Sequence, residues 1–126
     1  MATNDIAADR APALWHRVLL PTGALGPGKI ALMRGIAATG SVSAAARRLR
    51  MSHARSVQLV AAINALGAGP LILTRTGGGA GGGATLTERG QAVLDAHARL
   101  AAVVAEAAAA PLAALTEVLG DPPRQG

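Results

Sequence analysis

Cysteine is absent from the chain. That excludes disulfides, thiolate metal sites and thiol nucleophiles, and it fits a reducing compartment. Phenylalanine and tyrosine are absent too, which leaves Trp15 as the only aromatic residue. Apolar residues make up 51% of the 126, but many are alanine, which buries little area, and apolar burial is the main stabilising term of a fold. Such a chain is expected to rely on long helices and on a second subunit to complete its core. Its length allows one domain and hardly two. The opening MATNDIAADR contains Asp and no apolar run, so it does not read as a signal peptide. No window is expected to reach the roughly 20 apolar residues of a membrane span. The expectation is a soluble cytoplasmic protein with no membrane partner. Acid is scarce: 7 Asp+Glu stand against 12 Lys+Arg, and eleven of the twelve are Arg. The planar fork of Arg suits phosphate and base recognition, although positive charge alone would also suit an acidic membrane surface.

What is present reads in order along the chain. Residues 1–12 are small or polar and read as a disordered N-terminus. LWHRVLL followed by PTG predicts a short hairpin over 14–25, with a short helix as the rival reading. Pro27 opens a helix whose apolar positions are Ile30, Met33, Ile36 and Ala37, and Gly40 closes it. Ser41 or Ser43 caps a second helix, with Val42, Ala45, Ala46 and Leu49 on one face. A tight turn at 50–52 leads to a third helix over 53–66, capped by Ser52 and stopped by Gly67 and Gly69-Pro70. PLILTRT at 70–76 and ATLT at 84–87 read as paired strands, so GGGAGGGA at 77–84 becomes a hairpin tip. Thr87 caps a long last helix, which Pro111 is expected to break or restart, and a tail follows over 120–126.

Helix, helix, tight turn, helix, hairpin and long helix is the winged helix-turn-helix plan, mainly α with a small β-hairpin wing. The folded DNA-binding part would span 13–86 and a dimerisation helix region 87–119. In this plan the third helix enters the major groove and the second crosses the backbone. A glycine tip lets backbone N–H groups approach phosphates with no side chain in the way. A nucleotide-binding P-loop is disfavoured, because no Lys-Ser/Thr follows the glycines.

Residues 26–100 resemble the N-terminal DNA-binding domain of the ModE-type molybdate-responsive regulators, whose helix-turn-helix is of the LysR kind. The resemblance rests on Gly40-Ser41 with Ser43, Ala44 and Ala45, on Met51-Ser52, on Asn64, and on a wing with Gly78, Gly79, Gly81 to Ala84, Leu86, Thr87 and Gly90. It implies double-stranded DNA as partner, and target genes of molybdenum or tungsten transport or cofactor use. Two departures stand out. The family has an aromatic residue after the recognition-helix Ser and a Trp four positions on, where this chain has His53 and Val57. Nothing after residue 120 would supply the family's pair of molybdate-binding β-barrels. A stand-alone or truncated DNA-binding chain is therefore expected. Molybdate sensing is not carried over, and a separate molybdate-binding partner protein is an open alternative.

The candidate DNA-binding residues follow. His53, Arg55 and Gln58 are candidate base readers, by the pairing of Arg with guanine and Gln with adenine. Val57 either meets a thymine methyl or belongs to the core. Arg47, Arg48 and Arg50 beside the turn, with Arg75 and Thr76 at the wing base, are candidate phosphate clamps. Ser43, Ser52 and the backbone of Gly78, Gly79, Gly81 and Gly82 complete the set. The competing reading for each is a solvated surface. Leu94, Ala98, Ala101, Val104 and Ala108 recur at helical spacing and form the expected homodimer seam, which would match a palindromic site. No cofactor, metal site or catalytic group is expected: His16, His53 and His97 sit on separate elements, and the seven carboxylates are scattered. The alternatives left open are a low-specificity DNA-binding protein and an interaction module that dimerises with a full-length paralogue.

Overall fold

The computed structural model of the chain describes residues 12–76 and 83–124. The fold is mainly α with two small β-hairpins and a long C-terminal helix. It divides into two compact units. One is His16–Ala98; the other gathers the described residues 12–15 and 99–124.

The first hairpin pairs β1 (Val18–Leu20) with β2 (Gly23–Leu25), in the register Val18↔Leu25 and Leu20↔Gly23. The hairpin reading of 14–25 therefore holds over its second half, and the helix reading does not. Pro21 and Thr22 form the two-residue turn, and the Thr22 hydroxyl donates to the Leu66 carbonyl at 2.7 Å. Helix α1 (Pro27–Thr39) starts on its proline and ends at Gly40, whose φ of 72° lets its N–H reach the Ile36 carbonyl. Ile30, Met33 and Ile36 are buried as the periodicity requires, but Leu32 is buried as well and Ala37 is exposed. Helix α1 packs both on the next helix and on the second hairpin, so it is covered from two sides, whereas Ala37 lies in the last turn, next to the chain reversal.

Helix α2 (Val42–Arg48) is capped by Ser41, which accepts from the Ala44 N–H at 3.1 Å. A Cβ on Gly35 would come 2.8 Å from the Ala45 Cβ, so this pair of small residues sets how closely α1 and α2 approach. Leu49 is only partly covered, at 36% exposed, because the helix has already ended there. The turn after it closes through Arg50 N–H to Arg47 and Met51 N–H to Ala46, with Arg50 at φ 55°. Ser52 then caps α3 (His53–Asn64) by accepting from the Arg55 N–H. Helix α3 stops two residues short of the expected 66. Ala65 and Leu66 instead form a closing turn onto Ala61 and Ile63, ahead of the glycines.

The second hairpin pairs β3 (Ile72–Arg75) with β4 (Gly83–Leu86), from Ile72↔Leu86 to Arg75↔Gly83. Asn64 fixes its root: its side-chain oxygen accepts from the Leu71 and Ile72 N–H groups at 2.9 Å each, and its amide donates to the Ile72 carbonyl at 3.0 Å. Thr87 lies just past β4, so its expected strand pairing is replaced by capping of the next helix. Its N–H donates to the Leu71 carbonyl, its hydroxyl to the Pro70 carbonyl, and its hydroxyl oxygen accepts from the Gly90 N–H. A Cβ on Gly90 would lie 2.2 Å from the Leu71 carbonyl oxygen, so only glycine fits this first turn. The core of the larger unit is aliphatic throughout, built around Leu32, Met33, Ile36, Ile63 and Ile72.

Helix α4 (Glu88–Leu119) contains Pro111 without interruption, contrary to the expected break. The alanines on both sides are the strongest helix formers, and they carry the helix across the one missing N–H. The same alanines make α4 long and apolar enough to cross a membrane by length and composition, with a mean hydropathy of 1.6 over an 18-residue window, against the expectation that no such window exists. None of that window is buried.

Candidate nucleic-acid interface

Helices α2 and α3 pack on each other across the Leu49–Met51 turn, and their outer surfaces carry most of the candidate residues. Ser43 is exposed in the first turn of α2, Arg47 and Arg48 are exposed in its last turn, and Arg50 is exposed in the turn itself. Cations at a helix C-terminus also complement the helix dipole, which is their purely structural role. The left-handed backbone of Arg50 is unusual for a side-chain-bearing residue, and it holds Arg50 at the corner between the two helices. Ser52 is exposed; its oxygen accepts from the Arg55 N–H, which leaves its O–H and one lone pair free.

On α3 the division between faces is sharp. Ser56, Leu59 and Ile63 are buried, and the Ser56 hydroxyl is satisfied by the His53 carbonyl at 2.7 Å. His53, Ala54, Arg55, Val57, Gln58 and Ala61 are exposed. Val57 is 52% exposed, so of its two readings the core assignment is removed. Arg75 and Thr76 are exposed at the end of β3. A groove of about 470 Å³ runs between α3 and this hairpin, with Val42, Val57 and Val60 as its apolar part and Ser43, His53, Thr74, Arg75 and Thr76 around them. The structure thus brings Ser43 of α2, His53 and Val57 of α3, Arg75 of β3 and Thr76 just beyond it onto one concavity. Gly78, Gly79, Gly81 and Gly82 lie outside the described residues. The Lys29 ammonium donates to the Ala24 carbonyl at 2.6 Å, which ties the start of α1 to β2.

Between Asp9 and Glu88 there is no Asp or Glu at all. Arg17, Lys29, Arg34, Arg47, Arg48, Arg50, Arg55 and Arg75 all fall inside that interval. No carboxylate of the intervening chain can neutralise them, so their field adds over the whole α2–α3–hairpin region.

The seam residues separate into two groups. Leu94, expected in the seam, is instead 7% exposed and belongs to the core of the His16–Ala98 unit, so its side chain has little surface left for a partner. Ala98 is exposed, whereas Ala101, Val104 and Ala108 are half-buried along one side of α4.

The histidines are not as separate as their sequence positions suggest. The rings of His16 and His97 stack, with centroids 5.6 Å apart and planes 13° from parallel. Nε2 of His16 and both ring nitrogens of His97 are buried without a hydrogen-bond partner. Burial, then the neighbouring His16, then Arg34 push the His97 pKa below its ordinary value. Near-parallel rings keep their in-plane lone pairs in separate planes, so the pair is poorly arranged to chelate one ion. Among the described residues no group of three or more metal-ligating side chains occurs.

No family model matches the chain. The chain is similar to the molybdenum-pterin-binding protein MopB of Rhodobacter capsulatus, at 42% identity over 90 residues. The match covers 71% of this chain and 33% of that protein, so the chain spans about a third of the length of its relative. A relationship to a molybdenum-related protein is thereby established; the relative's name records binding and no reaction.

Proposed function

We propose that the chain is a winged helix-turn-helix module that binds double-stranded DNA in the cytoplasm and regulates transcription as a homodimer. The observation that carries this reading is the α2–turn–α3 corner, with Arg47, Arg48, Arg50 and Arg55 exposed on it and no acidic residue between Asp9 and Glu88. In this reading α3 lies in the major groove, Arg55 and Gln58 reach base edges, and the arginines of α2 and the turn hold phosphates. Hairpin β3–β4 is the wing, with Arg75 at its base. Similarity to a molybdenum-pterin-binding protein supports target genes of molybdenum transport or cofactor use. The reading contains no catalytic step.

The test is fluorescence anisotropy of a labelled duplex from the gene's own upstream region, beside a scrambled duplex, at two salt concentrations, with and without molybdate. The expected result is tight, salt-dependent binding that favours the native duplex by at least about a thousandfold, with no molybdate effect. Weak and equal binding to both duplexes would overturn the regulator reading. A second reading is favoured by the exposed apolar side chains Leu100, Val103, Leu115, Val118 and Leu119 of α4: a module that pairs with a longer molybdate-binding paralogue. Co-purification of a defined heterodimer, with no homodimer, would select it.

A further inference from the structure

The outward face of α3 has an uncharged centre. At about 100° per residue, Ala54, Gln58 and Ala61 project within a narrow sector, with Val57 at its edge. This sector lies opposite the buried Ser56, Leu59 and Ile63. His53 and Arg55 flank it on either side. All four central residues are exposed, and Val57 also borders the groove toward the hairpin. In water such a strip gains nothing from its apolar groups. In a major groove it meets the one apolar group that base edges display there, the 5-methyl of thymine, while Gln58 matches the N6–N7 pair of adenine. Small side chains also let the helix backbone come close to the bases.

From this geometry we infer that the centre of each half-site is read as A·T pairs, with Ala54, Val57 and Ala61 against thymine methyls and Gln58 against an adenine. The inference rests on the DNA-binding reading above and names what that interface recognises. Arg47, Arg48 and Arg50 supply phosphate contacts around the apolar strip, so affinity and readout fall on different residues. Val57 is the position with the largest apolar reach, and it sets which thymine matters most.

The experiment begins with duplexes obtained by in vitro selection from a random library. Each thymine of the selected half-site is then replaced singly by deoxyuridine, which removes only the methyl group. Wild-type protein is expected to bind one or two of these duplexes roughly fourfold more weakly, the effect of withdrawing one methyl-sized apolar contact. V57A is expected to bind the thymine duplex more weakly and to lose sensitivity at its thymine. A61G, checked by circular dichroism for intact helix, is expected to lose it at the other. Tight, selective binding with no deoxyuridine effect would overturn the inference and leave the DNA-binding reading standing. So would a deoxyuridine effect unchanged in both variants, since it would then come from duplex shape. Failure to select any duplex would remove the DNA-binding reading and the inference with it.

Discussion

Asn64 shows how one side chain can serve a site that it never touches. It satisfies two backbone N–H groups and one carbonyl at the start of β3, and so joins the end of α3 to the root of the hairpin. N64A leaves those groups unpaired beside the buried Leu71 and Ile72. It is expected to cost about 2–4 kcal/mol of stability, by the penalty for several orphaned groups; urea denaturation checks this, and a loss under 1 kcal/mol would mean that the hairpin root is held by packing alone. His97 gives a pH dependence. Burial, His16 and Arg34 lower its folded-state pKa below the unfolded value of 6.5. The folded state therefore binds fewer protons than the unfolded chain between those two values, and stability rises with pH there. Its contribution is complete above about pH 6.5 and is lost as pH falls toward the folded value. The urea midpoint is expected to drop between pH 7.5 and 5.5 in the wild type and to drop less in H97F, which keeps a stacked ring and does not titrate; equal slopes would sink this account. The two arginine classes separate by salt. R48A is expected to weaken all duplexes alike and to flatten the log K against log salt slope by about one unit. R55A is expected to cost roughly 1–3 kcal/mol against the preferred sequence only. Equal small effects from both would count against this docking.

At the scale of elements, most of the order was legible, because punctuation residues carry it. Pro27 and Gly40 bracket α1, Ser41 and Ser52 cap α2 and α3, and Thr87 caps α4, each through a local hydrogen bond or a fixed backbone angle. What was not legible depended on neighbours far along the chain. Leu32 is buried because two elements cover α1, and Leu94 joins the core of its own unit, neither of which spacing alone reveals. The His16–His97 stack joins residues 81 positions apart and had no local signal. Of the candidate interface, the arginines and the exposed face of α3 could be read from the sequence, but the groove between α3 and the hairpin, which of these arginines only Arg75 lines, could not. Pro111 is the one misread punctuation mark, and it yields a prediction. An interior proline removes a helix hydrogen bond and crowds the carbonyl four residues back, so α4 carries a penalty that alanine would not. P111A is expected to raise the stability of the C-terminal part of α4 by up to about 3 kcal/mol. Amide hydrogen exchange over 104–119 would read this as slower exchange; unchanged rates would mean that this segment opens independently of its helix propensity.

For the whole molecule, charge and apolar surface are divided along the chain. The interval from Arg10 to Thr87 has only basic charged residues, whereas Glu88, Asp95, Glu106 and Glu117 all lie on α4. This division agrees with the proposed docking, in which the first region meets the polyanion; α4 carries Arg89 and Arg99 beside its acids and is closer to neutral. Among the described residues of the smaller unit, Leu14, Trp15, Leu100, Val103, Leu115, Val118 and Leu119 are exposed. In the proposed homodimer, association would complete the apolar burial that a chain this poor in aromatics lacks. Ala101, Val104 and Ala108 recur on one side of α4, and small residues there permit close helix contact. In the proposed homodimer, Val104→Glu would put a carboxylate into that seam, one on each protomer, so charge repulsion and desolvation would act together. The variant is expected to sediment as a monomer at concentrations where the wild type is a dimer, with the helix content of α4 preserved. On a palindromic duplex it should lose about a hundredfold or more in affinity through lost bivalence, while single half-sites bind both proteins alike. A dimer that persists in Val104→Glu would place the seam elsewhere, and an equal loss on half-sites and palindromes would mean that the substitution damages the DNA-binding unit itself.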